Sequence, residues 1–265
     1  MNPIHEANRQ SWDAKADFWR QLRDRDQLWR QCTEQPSVAF QGQALELIQQ
    51  YMPTLADKQV CVIGSGDNYA AFALAGLGAA VTSVDISENQ LAVARQRAQI
   101  LDLTLTFVRA DAADLAPLAT ESFDLVFSSN GFYVWIADVP SVFREIHRIL
   151  CSRGHYIFYD VHPFQRPWDR EEKQRLAMSK SYWEIGPNQD EGDSHYEFHY
   201  TIADFLNALA DSGLRLCKLL ESPPSDARYW QDFSYESGTD TDLTDWRNNP
   251  RAGLPAWLTV AAQKA

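Results

Sequence analysis

The feature that most constrains this chain is a regular alternation of strand-like and helix-like segments between Gln59 and Asp160. Short apolar, β-branched runs recur there, and the stretches between them show helical spacing or helix-capping residues. Such an alternation is typical of right-handed βαβ units, which form a parallel sheet with helices on both faces. The sequence therefore predicts an α/β fold with a doubly wound sheet. The strands predicted in this region are 59–64, 80–85, 103–111, 123–129 and 155–160.

The segments outside this alternation differ from it in composition and periodicity. The N-terminal segment is polar with a helical pattern, and two irregular stretches after Asp160 are rich in prolines, aromatic residues and charge. A helix at 202–212 and strands at 214–220 and 256–263 resume the alternation, and the final strand needs the sheet as its partner. We therefore predict a single domain over 1–265. Its parts are an N-terminal helical segment (1–55) and a βαβ core (56–160). Two cap insertions (161–200 and 222–255) alternate with a C-terminal helix and two strands (201–221 and 256–265).

Composition and charge argue against several classes of partner. The chain has 265 residues and a net charge of -12, which would repel a phosphate backbone and so argues against nucleic acid. The longest run free of charged and strongly polar side chains, 69–81, is too short to cross a bilayer, and the polar N-terminus does not resemble a signal peptide. Its 4 cysteines lack the paired spacing of zinc or redox sites, which favours a reduced cytoplasm. We expect a cytoplasmic monomer or homodimer that binds no metal, membrane or nucleic acid.

A glycine-containing turn follows the first predicted strand. The sequence VCVIGSGDN places Gly64 and Gly66 between a buried strand and a helix, where glycine lets the backbone approach a ligand and the helix start offers free N–H groups. Asp85 ends the second strand, 21 residues after Gly64, where a carboxylate can accept hydrogen bonds from both hydroxyls of a ribose. The alternative is that these residues bind no ligand and form only a tight turn with a helix-capping acid. The two features together favour a cofactor that contains a nucleoside.

The turn also discriminates between nucleoside cofactors. A dinucleotide-binding turn has a third glycine at the position of Tyr69, and the carboxylate of Asp67 would repel a pyrophosphate. An NAD(P)-dependent oxidoreductase is therefore disfavoured. A nucleoside without phosphate that carries a positive charge, such as S-adenosylmethionine, suits this turn better.

Five motifs make the sequence resemble the class I S-adenosylmethionine-dependent methyltransferases. They are VCVIGSGDN, TSVDISENQLAVAR, FVRADAADL, FDLVFSSNGFYVW and SVFREIHRILCSRGHYIFYD, in the order and spacing of that family. The resemblance covers 60–159 and resumes over 202–262. It implies a Rossmann-like sheet of seven strands, mostly parallel with an antiparallel last strand. It also implies an enzyme that transfers a methyl group from S-adenosylmethionine, here to a small molecule.

The resemblance implies a set of cofactor contacts at the ends of the strands. The glycine turn would line the methionine and ribose end, Asp85 would bind the ribose hydroxyls, and Asp111 would accept from the exocyclic amine of adenine. Ser129 and Asn130, at the end of the fourth strand, would face the reacting methyl group. The residues with implied cofactor contacts are Gly64, Ser65, Gly66, Asp85, Ile86, Asp111, Ala112, Ser129 and Asn130.

Two positions depart from the family pattern. An acid that often orients the methionine amine is replaced by Val62, and the third glycine of the turn is replaced by Asn68. We expect Asp67 and Asn68 to supply replacement polar contacts. The departures also leave open a protein that binds S-adenosylmethionine without transferring its methyl group.

Few side chains are needed for the chemistry, because methyl transfer from a sulfonium mainly requires alignment of the acceptor and exclusion of water. His162, in YDVHPF, is a candidate base for an acceptor that arrives protonated; the alternative is a histidine bonded to the backbone at a strand end. His195, Glu197 and His199 alternate as on a strand, which we interpret as a solvated face rather than a metal site.

The acceptor is expected to lie under a cap rich in aromatic residues. Long irregular stretches such as 161–200 and 222–255 are often functional, although part of their aromatic content must be ordinary packing. We predict that Phe132, Trp183 and Trp230 contact the acceptor and that the segment from Trp12 to Trp19 contributes to the cap.

Overall fold

In a computed structural model of the chain, seven strands within the described residues form one mixed sheet. The order across the sheet is β3-β2-β1-β4-β5-β7-β6, and β7 runs antiparallel to both of its neighbours while the remaining pairs are parallel. The predicted doubly wound sheet with an antiparallel last strand is therefore confirmed. The strands are β1 (Gln59–Ile63), β2 (Ala80–Asp85), β3 (Thr106–Arg109), β4 (Phe123–Ser128), β5 (Leu150–Val161), β6 (Leu214–Ser222) and β7 (Trp257–Lys264).

The structure describes residues 2–66, 69–169, 172, 175–190, 192–224, 227–230 and 242–265. Two strands begin several residues away from their predicted starts: β3 begins at Thr106 rather than at 103, and β5 begins at Leu150 rather than at 155. The earlier start of β5 follows from the pairing of Phe123 with Leu150, which draws the end of the preceding helix directly into the sheet. The α-helices are α1 (Pro3–Asp26), α2 (Ala44–Tyr51), α3 (Ala70–Gly76), α4 (Glu88–Ile100), α5 (Val139–Ile149) and α6 (Ile202–Asp211).

The two faces of the sheet carry separate apolar cores. Successive residues of a strand point to opposite faces, so Cys61 and Ile63 pack into the core that contains α5 and α6. Val60 and Val62 pack into the core that contains α2 and α3. This two-sided burial explains why the strands read as nearly continuous apolar runs.

The order of the strands sets the position of a crevice. The chain runs from β1 outward to β2 and β3 and then returns to β4 on the other side of β1. At such a reversal the following loops diverge, and ligands of open α/β sheets bind outside the carboxyl ends of the strands there. In this molecule the crevice lies above the ends of β1 and β4.

Helix α1 lies over that crevice and is attached to the sheet by polar contacts. The side chain of Asn2 accepts a hydrogen bond from the backbone N–H of Ile4 and so caps the start of the helix. Farther along, Asp13 accepts a hydrogen bond from the Ser87 hydroxyl at 2.6 Å. These contacts place an N-terminal helix across the start of α4. Within the described residues, no helix has the length and apolarity needed to cross a membrane.

Candidate active site

A cavity of about 1100 Å³ opens above the carboxyl ends of the strands. We call the part lined by the loops after β1 to β4 the cofactor half, and the part lined by residues of 166–199 the cap half. Helix α1 borders both. The predicted cofactor residues that line the cavity are Gly64, Ser65, Gly66, Asp85, Ile86, Asp111, Ala112 and Asn130.

The glycine turn brings backbone rather than side chains to the cavity. Gly64 and Gly66 adopt left-handed φ angles of 58° and 50°, which favour glycine. A Cβ atom on Gly64 would lie 2.2 Å from the ring of Phe132. The hydroxyl of Ser65 contacts the Ser83 hydroxyl at 2.6 Å, so this side chain is used within the fold. The predicted contacts of Asp67 and Asn68 lie outside the described residues.

Asp85 closes the turn from the end of β2. Its Oδ2 accepts a hydrogen bond from the Gly66 N–H at 2.7 Å, and its Oδ1 accepts one from the Ser87 N–H at 2.8 Å. Burial raises the pKa of Asp85 to about 6, against the lowering effect of these N–H groups. Each carboxylate oxygen can accept a further hydrogen bond. Ionised Asp85 can therefore receive two hydroxyl groups from a ligand in the cavity.

Asp111, after β3, is linked to the N-terminal helix by a buried histidine. His5 is 1% exposed; its Nε2 accepts a hydrogen bond from the Ala137 N–H at 2.8 Å, so its Nδ1–H donates to Asp111 Oδ2 at 2.8 Å. Burial alone would raise the pKa of Asp111, but the hydrogen bonds from His5 and the Ala113 N–H lower it. His5 therefore fixes the orientation of Asp111 in the cavity wall. Sequence reasoning missed His5, because nothing near it along the chain indicates this partner.

Gln90 is a second residue that sequence reasoning missed. It lies in the first turn of α4, is 2% exposed and lines the cofactor half near Gly66. Neither its amide oxygen nor its amide nitrogen has a hydrogen-bond partner among the described residues. Buried amides are normally satisfied, so these atoms fit a polar group of a bound ligand. The signal in the sequence was its position in the segment SENQ (87–90), five residues after Asp85.

The loop after β4 is held by a carboxylate from β5. Asp160, which is 3% exposed, accepts hydrogen bonds from the Gly131 N–H and the Tyr133 N–H, each at 3.3 Å. These contacts fix the loop that carries Asn130 and Phe132 into the cavity. Ser129, which was predicted beside the methyl group, is buried and does not line the cavity.

The structure does not bring His162 to the cavity. The side chain is fully buried; its Nδ1 accepts a hydrogen bond from the Phe164 N–H at 3.1 Å, and its Nε2 lies 2.8 Å from Glu221 Oε1. Burial lowers its pKa, against the effect of Glu221. Because both ring nitrogens are engaged within the fold, the arrangement corresponds to the alternative of a structural histidine at the strand end.

Of the three predicted acceptor contacts, Phe132 lines the cavity and the two tryptophans do not. Trp183 is 75% exposed beside Tyr182, and Trp230 is buried against Tyr229. Tyr229 in turn packs on Trp257 of β7, so Trp230 belongs to an auxiliary aromatic cluster beside that strand. The prediction selected these two tryptophans from the aromatic content of their segments. Aromatic content does not distinguish residues that pack within the fold from residues that line a cavity. The aromatic residues that line the cavity are Trp12, Trp19, Phe132, Trp135 and Trp168.

The cap half is strongly polar. The residues interpreted as a solvated face, His195, Glu197 and His199, all line it. The two histidines have different acidic partners: His199 Nε2 lies 3.3 Å from Glu197 Oε2, and His195 Nε2 lies 3.4 Å from Asp193 Oδ2. The alternation along the chain was correct, but the face that it forms is turned inward because 188 and 197 pair through their backbones.

The strand ends and the glycine turn have counterparts in known proteins. Residues 61–158 match the family model described as "Methyltransferase domain". An S-adenosylmethionine-dependent methyltransferase from Mesorhizobium loti has a similar structure, with a TM-score of 0.65 and 25% sequence identity over 84% of this chain and 98% of that one.

Two sequence relatives differ in how much of them the chain covers. The uncharacterized methyltransferase YbaJ of Bacillus subtilis is 25% identical over 233 residues, which is 80% of this chain and 88% of YbaJ. The biotin biosynthesis bifunctional protein BioHC of Saccharophagus degradans is 31% identical over 132 residues, or 49% of this chain. The chain spans only 23% of BioHC.

Proposed function

This chain belongs to the class I S-adenosylmethionine-dependent methyltransferases, and from this premise we propose that it transfers the methyl group to a small-molecule acceptor bound in the cap half of the cavity. The predicted family, cofactor and reaction class agree with the matching family and with the Mesorhizobium loti structure. The identity of the acceptor and the roles of individual residues are proposals.

One observation carries the proposal: a single cavity joins a nucleoside-binding half to a separate polar and aromatic half. In the cofactor half we assign the ribose hydroxyls to Asp85 and the adenine edge to Asp111 and Ile86. Gln90, whose amide has no hydrogen-bond partner among the described residues, lies near the assigned ribose position. Val62 is buried in the core between sheet and helices and cannot reach the ligand. We therefore assign more of the contacts with the methionine part of the cofactor to the backbone of Gly64 and Gly66.

The chain's contribution to the reaction is mainly positional. S-adenosylmethionine, when bound, supplies an activated methyl group on a sulfonium. Asp160 holds the loop of Asn130 and Phe132, which defines the boundary between the two halves. Trp12 and Trp135, whose rings are 5.2 Å apart, form an apolar wall that excludes water. Alignment of the acceptor at near-attack distance supplies most of the rate enhancement.

The covering of the cavity supports a small acceptor. Helix α1 crosses the cavity, and its Asn8 side chain donates hydrogen bonds to the carbonyls of Trp135 and Tyr196 at 2.9 and 3.0 Å. These bonds tie the helix to both halves and leave a partly enclosed space suited to a metabolite. The net charge of -12 also disfavours a polyanionic acceptor. We place the protein in the cytoplasm as a monomer or homodimer, which its scattered free cysteines support.

The proposal is tested by following a labelled methyl group. The protein is incubated with S-adenosylmethionine labelled in its methyl group and with a cell extract divided into small-molecule and macromolecular fractions. We expect label in the small-molecule fraction, strongly reduced by Asp85→Asn and unchanged by Asp211→Asn, an exposed acid outside the cavity. Label found in protein or nucleic acid instead would refute a small acceptor. Cofactor binding without transfer to either fraction would favour a binding protein.

A further inference from the structure

A lysine in the cap half has one hydrogen-bond donor without an acceptor among the described residues. Lys180 Nζ contacts His199 Nδ1 and donates to the carbonyl oxygen of Glu184 at 3.0 Å. Because His199 Nε2–H faces Glu197, its Nδ1 lone pair is the acceptor of the Lys180 bond. An ammonium group has three N–H donors. The third has no acceptor among the described residues, and Lys180 lines the cavity.

The charge of Lys180 is also left without a direct counterion. No carboxylate of the described residues lies within 4.0 Å of its Nζ, although the chain as a whole has a net charge of -12. Burial lowers the pKa of Lys180 and the positive charge of Arg166 lowers it further, while the carboxylates of Glu184 and Glu197 oppose this from beyond direct contact. A half-buried cation next to another cation is costly unless an anion joins it. A negatively charged group in direct contact with Lys180 would offset this cost.

A second unused donor lies on the neighbouring segment. The indole Nε1–H of Trp168 is buried without a hydrogen-bond partner in the described part of the chain, and Trp168 lines the cavity. Its segment pairs with that of Lys180: Trp168 forms a backbone bridge with Met178, and Ser179 N–H donates to the Pro167 carbonyl at 2.9 Å. Two donors on adjacent segments, one of them charged, suit an oxygen anion.

We propose that Lys180 and the Trp168 indole form a subsite that binds a carboxylate carried by the methyl acceptor. The acceptor class is then a small organic acid with an aromatic or apolar body, which the walls of Trp12, Trp135 and Phe132 accommodate. The carboxylate anchors the molecule in the cap half, and the atom that receives the methyl group points toward the loop of Asn130. This inference rests on the proposed function, because it assigns the cap half to the acceptor.

The test compares two probes that differ in charge but hardly in shape. Benzoate and benzamide are titrated by calorimetry into the protein saturated with S-adenosylhomocysteine, so that the cofactor half is filled. We expect benzoate to bind at least about tenfold more tightly than benzamide, as a charge-assisted hydrogen bond provides. Lys180→Met should abolish this preference and leave the affinity for S-adenosylhomocysteine unchanged. Lys218→Met, which removes an exposed lysine outside the cavity, should keep the preference.

A second variant and a third probe make the outcome unambiguous. Trp168→Phe keeps the aromatic ring and removes only the N–H donor, so benzoate should bind about fivefold more weakly. Equal affinity for benzoate and benzamide, a preference that survives Lys180→Met, or benzoate binding weaker than about 10 mM would each overturn the subsite. Phenyl phosphate bound in place of benzoate would refute a carboxylate as the anchoring group. Benzoate binding without any methyl transfer would refute the proposed function and leave the subsite standing.

Discussion

Asp85 combines a structural and a binding role in one carboxylate, and its ionisation connects the two. Because its pKa is raised to about 6, protonation below that value removes the charge that accepts the ribose hydroxyls. We predict that the affinity for S-adenosylhomocysteine falls about tenfold between about pH 7 and pH 5. Calorimetry over this range checks it. Asp85→Asn should bind weakly with a nearly flat profile, whereas a wild-type profile in Asp85→Asn would show that another group is responsible.

The two glycines of the turn are required for different physical reasons, which a matched pair of variants separates. Both have positive φ, so alanine at either position costs about 1–2 kcal/mol of backbone strain. Only Gly64 also faces the Phe132 ring, at 2.2 Å from a Cβ, whereas the nearest atom to a Cβ on Gly66 is 3.7 Å away. Gly64→Ala should therefore lower the free energy of unfolding more than Gly66→Ala in urea titrations. Equal losses would mean that the Phe132 ring moves aside freely.

The residues that could be inferred from sequence are those whose partners are close along the chain. Gly64 and Asp85 belong to one βαβ unit, so their spacing already predicts that they meet at the strand ends. His5 and Asp111 are 106 positions apart, and their contact depends on where a whole helix packs. Gln90 lay inside a recognised motif, but its unpaired amide became apparent only when the neighbouring atoms were placed.

Helix α1 is the element that turns an open crevice into a partly enclosed cavity. At the cavity it is held by hydrogen bonds of His5, Asn8 and Asp13 and by the packing of Trp12 on Trp135. Local opening of such an element is expected to be easier than opening of the core. A ligand bound beneath the helix must be released before the helix can open fully, so binding should suppress this motion.

Hydrogen exchange measures this effect directly. At about 100 times the dissociation constant, S-adenosylhomocysteine should slow exchange in α1 by up to about 100-fold. Helix α5, none of whose residues lines the cavity, should be slowed much less at short labelling times. Equal protection of both helices, or none in α1, would show that α1 does not cover the bound cofactor.

Of the two predicted cap insertions, 161–200 contributes residues to the cavity, whereas none of the described residues of 222–255 lines it. Their lack of periodicity and their aromatic content marked 161–200 as unusual, and part of that segment does line the cavity. Which side chains face inward depends on pairings such as that of 188 with 197, which no local pattern fixed. Trp183 and Lys180 are three positions apart, yet the tryptophan faces solvent and the lysine faces the cavity.

The sheet was the most predictable feature of the whole molecule, because several independent sequence patterns predict the same arrangement. Apolar runs buried on both sides, capping residues such as Ser87 and glycine turns all favour the same βαβ arrangement. The position of the cavity then follows from the reversal between β1 and β4. The acceptor does not follow from the fold, because the same sheet supports many reactions and the cap supplies the selectivity.

The central claim is that this cavity binds S-adenosylmethionine rather than a dinucleotide, and thermal unfolding with different ligands tests it most directly. S-adenosylhomocysteine at about 100 times its dissociation constant should stabilise the folded chain by about 2.7 kcal/mol and raise its melting temperature accordingly. NADH at the same concentration should produce no shift, because Tyr69 replaces the glycine of a pyrophosphate-binding turn. Stabilisation by NADH together with no response to S-adenosylhomocysteine or S-adenosylmethionine would contradict the claim.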